Sequence, residues 1–184
     1  IKNALKELGI DPKELAPRAI ISLISKAKGD GMTAGEYAEK HGRQSFRARV
    51  ASDAWRKYDE TLAKEKALDF DDLIAKSVRL LQTDVQARSA VQERFHYIHI
   101  DEYQDTNELQ GKLAALLTGD RKNLFVVGDI DQTIYTWRGA TIDNLLEFDR
   151  AYPSAKTSVL EHNYRSSATI VEAANQIIKK NKNR

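Results

Sequence analysis

The chain has 184 residues, with 29 Lys and Arg against 27 Asp and Glu, a formal net charge of only +2. So even a balance does not announce a nucleic-acid partner, and any basic surface has to come from local clustering. The absence of cysteine excludes disulfides, thiolate metal sites and a cysteine nucleophile and fits a reducing, cytoplasmic setting, while no apolar run is long enough to cross a bilayer as a helix.

The length suits one ordinary domain, or a core with a small satellite subdomain. The first residues, Ile1-Lys2-Asn3, do not resemble a signal peptide, and the single methionine is Met32. A piece cut from a longer protein is therefore expected.

From residue 1 to about 94 the apolar residues recur at helical spacing, with turn residues between the segments. Asp11-Pro12 has the form of a helix start, leading through Ile20, Leu23 and Ile24 to a stop near Lys28-Gly29-Asp30-Gly31. Thr33-Ala34-Gly35-Glu36 has the spacing of a capping box. Phe46, Val50, Ala54, Tyr58 and Leu62 then repeat every fourth residue, with Arg47, Arg49, Arg56, Lys57 and Lys64 off that row, so one stripe should pack and a basic remainder face water. Helices over Leu68–Leu81 and Val85–Arg94 complete this part.

Beyond residue 94 the period changes. Phe95–Ile100, Asn123–Val127 and Thr157–Leu160 are short β-branched or aromatic runs, each ending in a polar cluster, and read as buried strands. Helical stretches at Asn107–Leu117, Ile142–Arg150 and Ala168–Lys180 lie between and after them. Strands alternating with helices imply an α/β fold with a parallel sheet, in which ligands gather beyond the carboxyl ends of the strands.

The unusual residues fall at those ends. The first run delivers Asp101-Glu102, followed by Tyr103-Gln104-Asp105-Thr106-Asn107. An Asp there can hold Mg²⁺ through oxygen and the next Glu can orient an attacking water, although the same pair also fits the cap of the next helix. The second run ends in Gly128-Asp129-Ile130-Asp131-Gln132-Thr133-Ile134-Tyr135-Thr136-Trp137-Arg138-Gly139-Ala140. Gln132 offers an amide to a phosphate or a water, and Tyr135 and Trp137 beside Arg138 suit stacking on single-stranded nucleic acid; taken singly, either aromatic reads equally as core. The third closes with Asn163-Tyr164-Arg165-Ser166, where Arg165 could reach a phosphate or form a surface ion pair. His96 and His99 lie three apart, on opposite faces of a strand, and carry no metal reading.

In order and spacing the segments 101–107, 128–140 and 163–166 resemble the superfamily 1 DNA helicases of the UvrD/Rep type. Ala67–Leu73 is similar to the stretch where that family's chain returns from a helical insertion to the motor. The resemblance implies a partial RecA-like (P-loop NTPase) sheet over residues 67–184, preceded by a helical insertion subdomain over 1–66. It implies ATP and Mg²⁺ as cofactors, with Asp101 on the metal, Glu102 activating water, Gln132 sensing the γ-phosphate, Arg165 as an arginine finger and Tyr164 against the adenine. It further implies single-stranded and partly duplex DNA as partners, with Tyr135, Trp137 and Arg138 at the strand and 3′-to-5′ movement driven by ATP hydrolysis. Thr133 stands where serine is usual.

Motors of this class need a Gly-rich loop ending in Gly-Lys-Thr or Gly-Lys-Ser. The only Gly-Lys is Gly111-Lys112, inside an expected helix. The chain alone is therefore expected neither to hydrolyse ATP nor to unwind DNA, and its incomplete sheet to favour self-association. Two alternatives stand beside this reading: a non-catalytic module docking DNA or protein through its basic helices, and a metal nuclease built on Asp101, Glu102, Asp105, Asp129 and Asp131.

Overall fold

A computed structural model describes residues 1–43, 45–136 and 139–180. Helices α1 (Lys2–Glu7), α2 (Pro17–Gly29), α3 (Ala34–His41) and α4 (Phe46–Lys64) come first, then α5 (Phe70–Thr83) and α6 (Val85–Arg94). Strand β1 (Ile98–Ile100), α7 (Glu108–Thr118) and β2 (Leu124–Val126) follow, and α8 (Asp143–Leu146), α9 (Phe148–Ala151) and α10 (Ala168–Ile178) end the order.

Local chemistry explains the boundaries. Residues 11–15 form a turn rather than a helix start, because the Asp11 carboxylate accepts the Lys13 N–H at 2.8 Å and holds the chain back. The proline that opens α2 is instead Pro17, where the missing N–H costs nothing. Thr33 and Glu36 form the expected capping box at α3, and Asp69, Asp84 and Asn107 accept from the third helical N–H of α5, α6 and α7.

The first core lies among α1 to α4. Leu5, Ile20 and Ala51 are fully shielded, and Trp55 is nearly so. Each large apolar side chain buried to this degree contributes roughly 1.5–3 kcal/mol. On α4 Val50 and Ala54 of the expected stripe are buried, together with Ala48, Ala51 and Trp55, whereas Phe46, the first residue of the stripe, is 57 % exposed. The packed face is set by which residues meet α2 and α3, and because each i, i+4 step turns by about 40° around the helix, Phe46 falls at the edge of that face.

Lys28, on the row of Ile20 and Ile24, is almost wholly buried. Its ammonium donates to Asp69 at 2.8 Å and to Asp72 at 2.9 Å, with Asp59 at 3.8 Å, so α2, α4 and the start of α5 meet around one cation. Burial pushes the Lys28 ammonium down, but the bonds to Asp69 and Asp72 prevail and raise it above its ordinary value. Burial likewise pushes Asp72 up, and Lys28 overrides that and holds the carboxyl below the ordinary range.

Among the described residues the sheet has two strands, β1 and β2, paired in parallel with Ile98 opposite Leu124 and Ile100 opposite Val126. α7 is the crossover between them, and it also packs on α5 and α6. The expected third strand at Thr157–Leu160 is not formed. Among the described residues that segment has no ladder partner, and Val159 and Leu160 are 78 % and 87 % exposed. Strand propensity at those residues needs a neighbouring edge to become a strand, and here none reaches it. The expected helix over 142–150 is split into α8 and α9 at Glu147.

Candidate functional site

The parallel pairing carries the chain past both strand ends to the same edge. The Val127 N–H donates to the Ile100 carbonyl and the Tyr103 N–H to the Val127 carbonyl, each at 2.9 Å. Asp101 and Glu102 therefore emerge beside Gly128 and Asp129. Glu102 takes a left-handed conformation with φ of 52°, which an L-residue adopts at a cost of about 1–2 kcal/mol. Its own N–H is satisfied by the Asp101 carboxylate at 2.9 Å.

Behind this edge lies Gln104, with no solvent exposure. Its Nε2 donates to Glu102 Oε2 at 2.7 Å, and its Oε1 accepts the Asp129 N–H at 3.0 Å. Asp129 in turn accepts the Asp131 N–H at 2.9 Å and the Gln132 Nε2 at 2.8 Å. A run of hydrogen bonds thus joins Glu102, Gln104, Asp129 and Gln132, and the exposed carboxylates and the Gln132 amide share one rim.

A second tie supports the rim. Asn144 Nδ2 lies 3.0–3.2 Å from the Thr106 carbonyl, the Thr106 hydroxyl and the Asn107 carbonyl, and the Thr141 N–H donates to the Thr106 carbonyl at 3.0 Å. Tyr103 meets Phe148 edge to face at 5.7 Å. These contacts border a groove of about 510 Å³ between α7 and the α8–α9 pair, lined by Tyr103, Lys112, Asn144 and Tyr152. Burial pushes the phenols of Tyr103 and Tyr152 up. Sequence reasoning did not single out Asn144, which in the sequence is one more polar residue at a helix start.

Tyr135 is 38 % exposed, on the stretch leading away from Gln132. Trp137 and Arg138 lie outside the described residues. In the segment 163–166 the Asn163 carboxamide oxygen accepts the N–H groups of Arg165 and Ser166 at 2.9 and 2.8 Å, a local turn. Tyr164 is 94 % exposed and Arg165 is exposed. The structure therefore brings Asp101, Glu102 and Gln132 together, and among the described residues no hydrogen bond or ion pair ties Arg165 to them.

The chemistry of the rim suits a magnesium-bound polyphosphate. Among the described residues Asp101 Oδ1 is engaged only by a backbone N–H, which leaves its exposed carboxylate with lone pairs for a hard cation. Mg²⁺ is characteristically bound by one or two carboxylates plus phosphate and water oxygens. Among the described residues no three His, Asp or Glu side chains are grouped so as to hold a metal by themselves.

The chain belongs to the UvrD/REP helicase N-terminal domain family, whose model matches residues 1–153. It is 45 % identical over all 184 residues to the ATP-dependent DNA helicase PcrA of Bacillus subtilis (strain 168). The same protein from Staphylococcus epidermidis RP62A is 45 % identical and that from Staphylococcus aureus Mu50 is 44 % identical, again over the whole chain. The chain spans about 25 % of the length of these curated relatives. No helix among the described residues is long and apolar enough to cross a membrane.

Proposed function

We propose that this chain is the part of an ATP-dependent 3′-to-5′ DNA helicase and translocase that carries the acid for water activation and the first link to the DNA strand. The observation that carries the reading is the rim itself: Glu102 and Gln132 belong to different strand ends yet are connected through Gln104 and Asp129. In this reading residues 1–66 are a helical insertion and 67–184 part of a RecA-like motor domain, acting in the cytoplasm on single-stranded and partly duplex DNA.

Asp101 would hold the magnesium of MgATP, and that ion would neutralise phosphate charge. Glu102 orients and deprotonates the attacking water, and its fixed carboxylate lowers the cost of reaching an in-line geometry. Gln132 would contact the γ-phosphate, Tyr164 would stack on the adenine, and Arg165 would stabilise charge on the transferring group. Tyr135, Trp137 and Arg138 grip the single strand.

Because the 184 residues hold no Gly-Lys-Thr or Gly-Lys-Ser loop, the chain alone does not turn over ATP. The exposed outer face of the strand pair, where Phe125 is 59 % and Tyr97 73 % exposed, favours self-association of the isolated chain.

The test compares the 184-residue chain with a longer helicase that includes it, in Mg²⁺ and ATP with and without single-stranded DNA. The longer protein should show DNA-stimulated hydrolysis that Glu102→Gln reduces to a slow residual rate, and the chain alone should show none. Turnover by the chain comparable to the longer protein, or full activity of Glu102→Gln, would overturn the reading.

A further inference from the structure

Gln104 stands out in a search of the molecule for buried polar groups that the proposed mechanism leaves without a task. It is fully buried, and each end of its amide meets a partner with a single possible polarity. The Glu102 carboxylate can only accept, so the nearer atom at 2.7 Å must be the NH₂ group. The Asp129 N–H can only donate, so the other atom, at 3.0 Å, must be the oxygen. Turning the amide over would set oxygen against carboxylate and NH₂ against N–H, so its orientation is fixed by chemistry.

A second observation concerns the other side of the joint. A Cβ placed on Gly128 would lie 2.9 Å from Gln104 Oε1 and 3.3 Å from Leu145 Cδ2. The backbone of the 128–132 turn can approach the amide this closely only because residue 128 has no side chain. The left-handed backbone at Glu102 completes the arrangement, aiming its carboxylate back toward Gln104.

We infer that Gln104 is a positioning residue, a rigid link that sets the Glu102 carboxylate according to where the 128–132 turn lies. The inference rests on the proposed ATPase reading and deepens it. A shift of the turn, as when the following 133–136 stretch engages a DNA strand, moves the Asp129 N–H. The amide transmits that displacement to the base without touching nucleotide or DNA. Gln104 should therefore affect the rate of the chemical step and leave nucleotide affinity nearly unchanged.

Two measurements test it. In the 184-residue chain, amide hydrogen exchange should show Asp129 protected, with protection falling at least tenfold in Gln104→Met, which keeps volume and loses both bonds, and retained in Gln104→Glu, which keeps an acceptor. Equal exchange at Asp129 in wild type and Gln104→Met would refute the link whatever the chain's activity. In the longer helicase, Gln104→Glu and Gln104→Met should each lower DNA-stimulated kcat at least tenfold, with KM for ATP within threefold. In a Glu102→Gln background, Gln104→Met should cause no further loss in single-turnover rate. Unchanged kcat in Gln104→Glu, or losses that multiply in the double variant, would overturn the inference. A wild-type helicase with no DNA-stimulated hydrolysis would instead defeat the functional reading and leave the exchange result standing.

Discussion

The Lys28 ammonium donates to Asp72 Oδ1 across 2.9 Å, with both side chains shielded to within 6 % of full burial. Lys28 comes from the end of α2 and Asp72 from the first turn of α5, so this one pair clamps the early helices to the segment that leads into the sheet.

Removing the cation leaves buried carboxylates without a counter-charge, a loss of about 3–5 kcal/mol for a pair of this kind. Lys28→Met is expected to lose that much in chemical denaturation. Lys28→Met combined with Asp72→Asn should lose less than the two single changes added together, because they share one interaction. Strict additivity in the cycle would show the pair to be independent.

The same pair sets a pH dependence. The Asp72 carboxyl is held below its ordinary 3.8 in the folded chain, chiefly against burial by the Lys28 bond, so its contribution is present above that value and is lost as pH falls through the lowered one. Lys28 is raised above 10.5, so its contribution is full below that value and lost as pH rises through the raised one. Melting temperature measured from pH 2 to 5 should fall more gently in Asp72→Asn than in wild type. Parallel curves would show that Asp72 does not drive the acid limb.

Gly119 has φ of 56° and ψ of −150°, a backbone region open essentially to glycine alone. A Cβ there would also lie 2.6 Å from Gln92 Nε2, which donates to the Leu116 carbonyl at 2.7 Å. Gly119→Ala should cost about 1–3 kcal/mol in backbone strain alone. A melting temperature equal to wild type would contradict the geometry.

Tyr164 offers the opposite case. Being 94 % exposed, it contributes little to the fold, and Tyr164→Ala should change stability by less than about 0.5 kcal/mol. In the longer helicase the same change should raise KM for ATP about tenfold, the worth of one ring stacked on a base. A KM equal to wild type would remove Tyr164 from the nucleotide site.

Several helix starts were legible where local chemistry decides them, although Asp11-Pro12, expected as a start, is a turn held by the Asp11 carboxylate. The Thr33 capping box and the apolar row Ile20–Ile24 are written within a few residues, and so is the end of β1 at Asp101-Glu102. Thr157–Leu160 was misread because a strand needs a partner that its own residues cannot report. Lys28 was missed as a buried cation, although its place on the Ile20–Ile24 row was a signal. Gln104 was legible as a supporting, hydrogen-bonding residue beside the acidic pair, but its full burial and the approach of Gly128 depend on a crossover that sequence spacing does not measure.

The φ of 52° at Glu102 has a consequence for any effort to improve this protein by selection. Glycine or asparagine sits more comfortably in that conformation. A library sorted on heat resistance alone would drift toward those residues at position 102. Its survivors would be hardier and chemically mute, so a screen at this site has to score turnover alongside endurance.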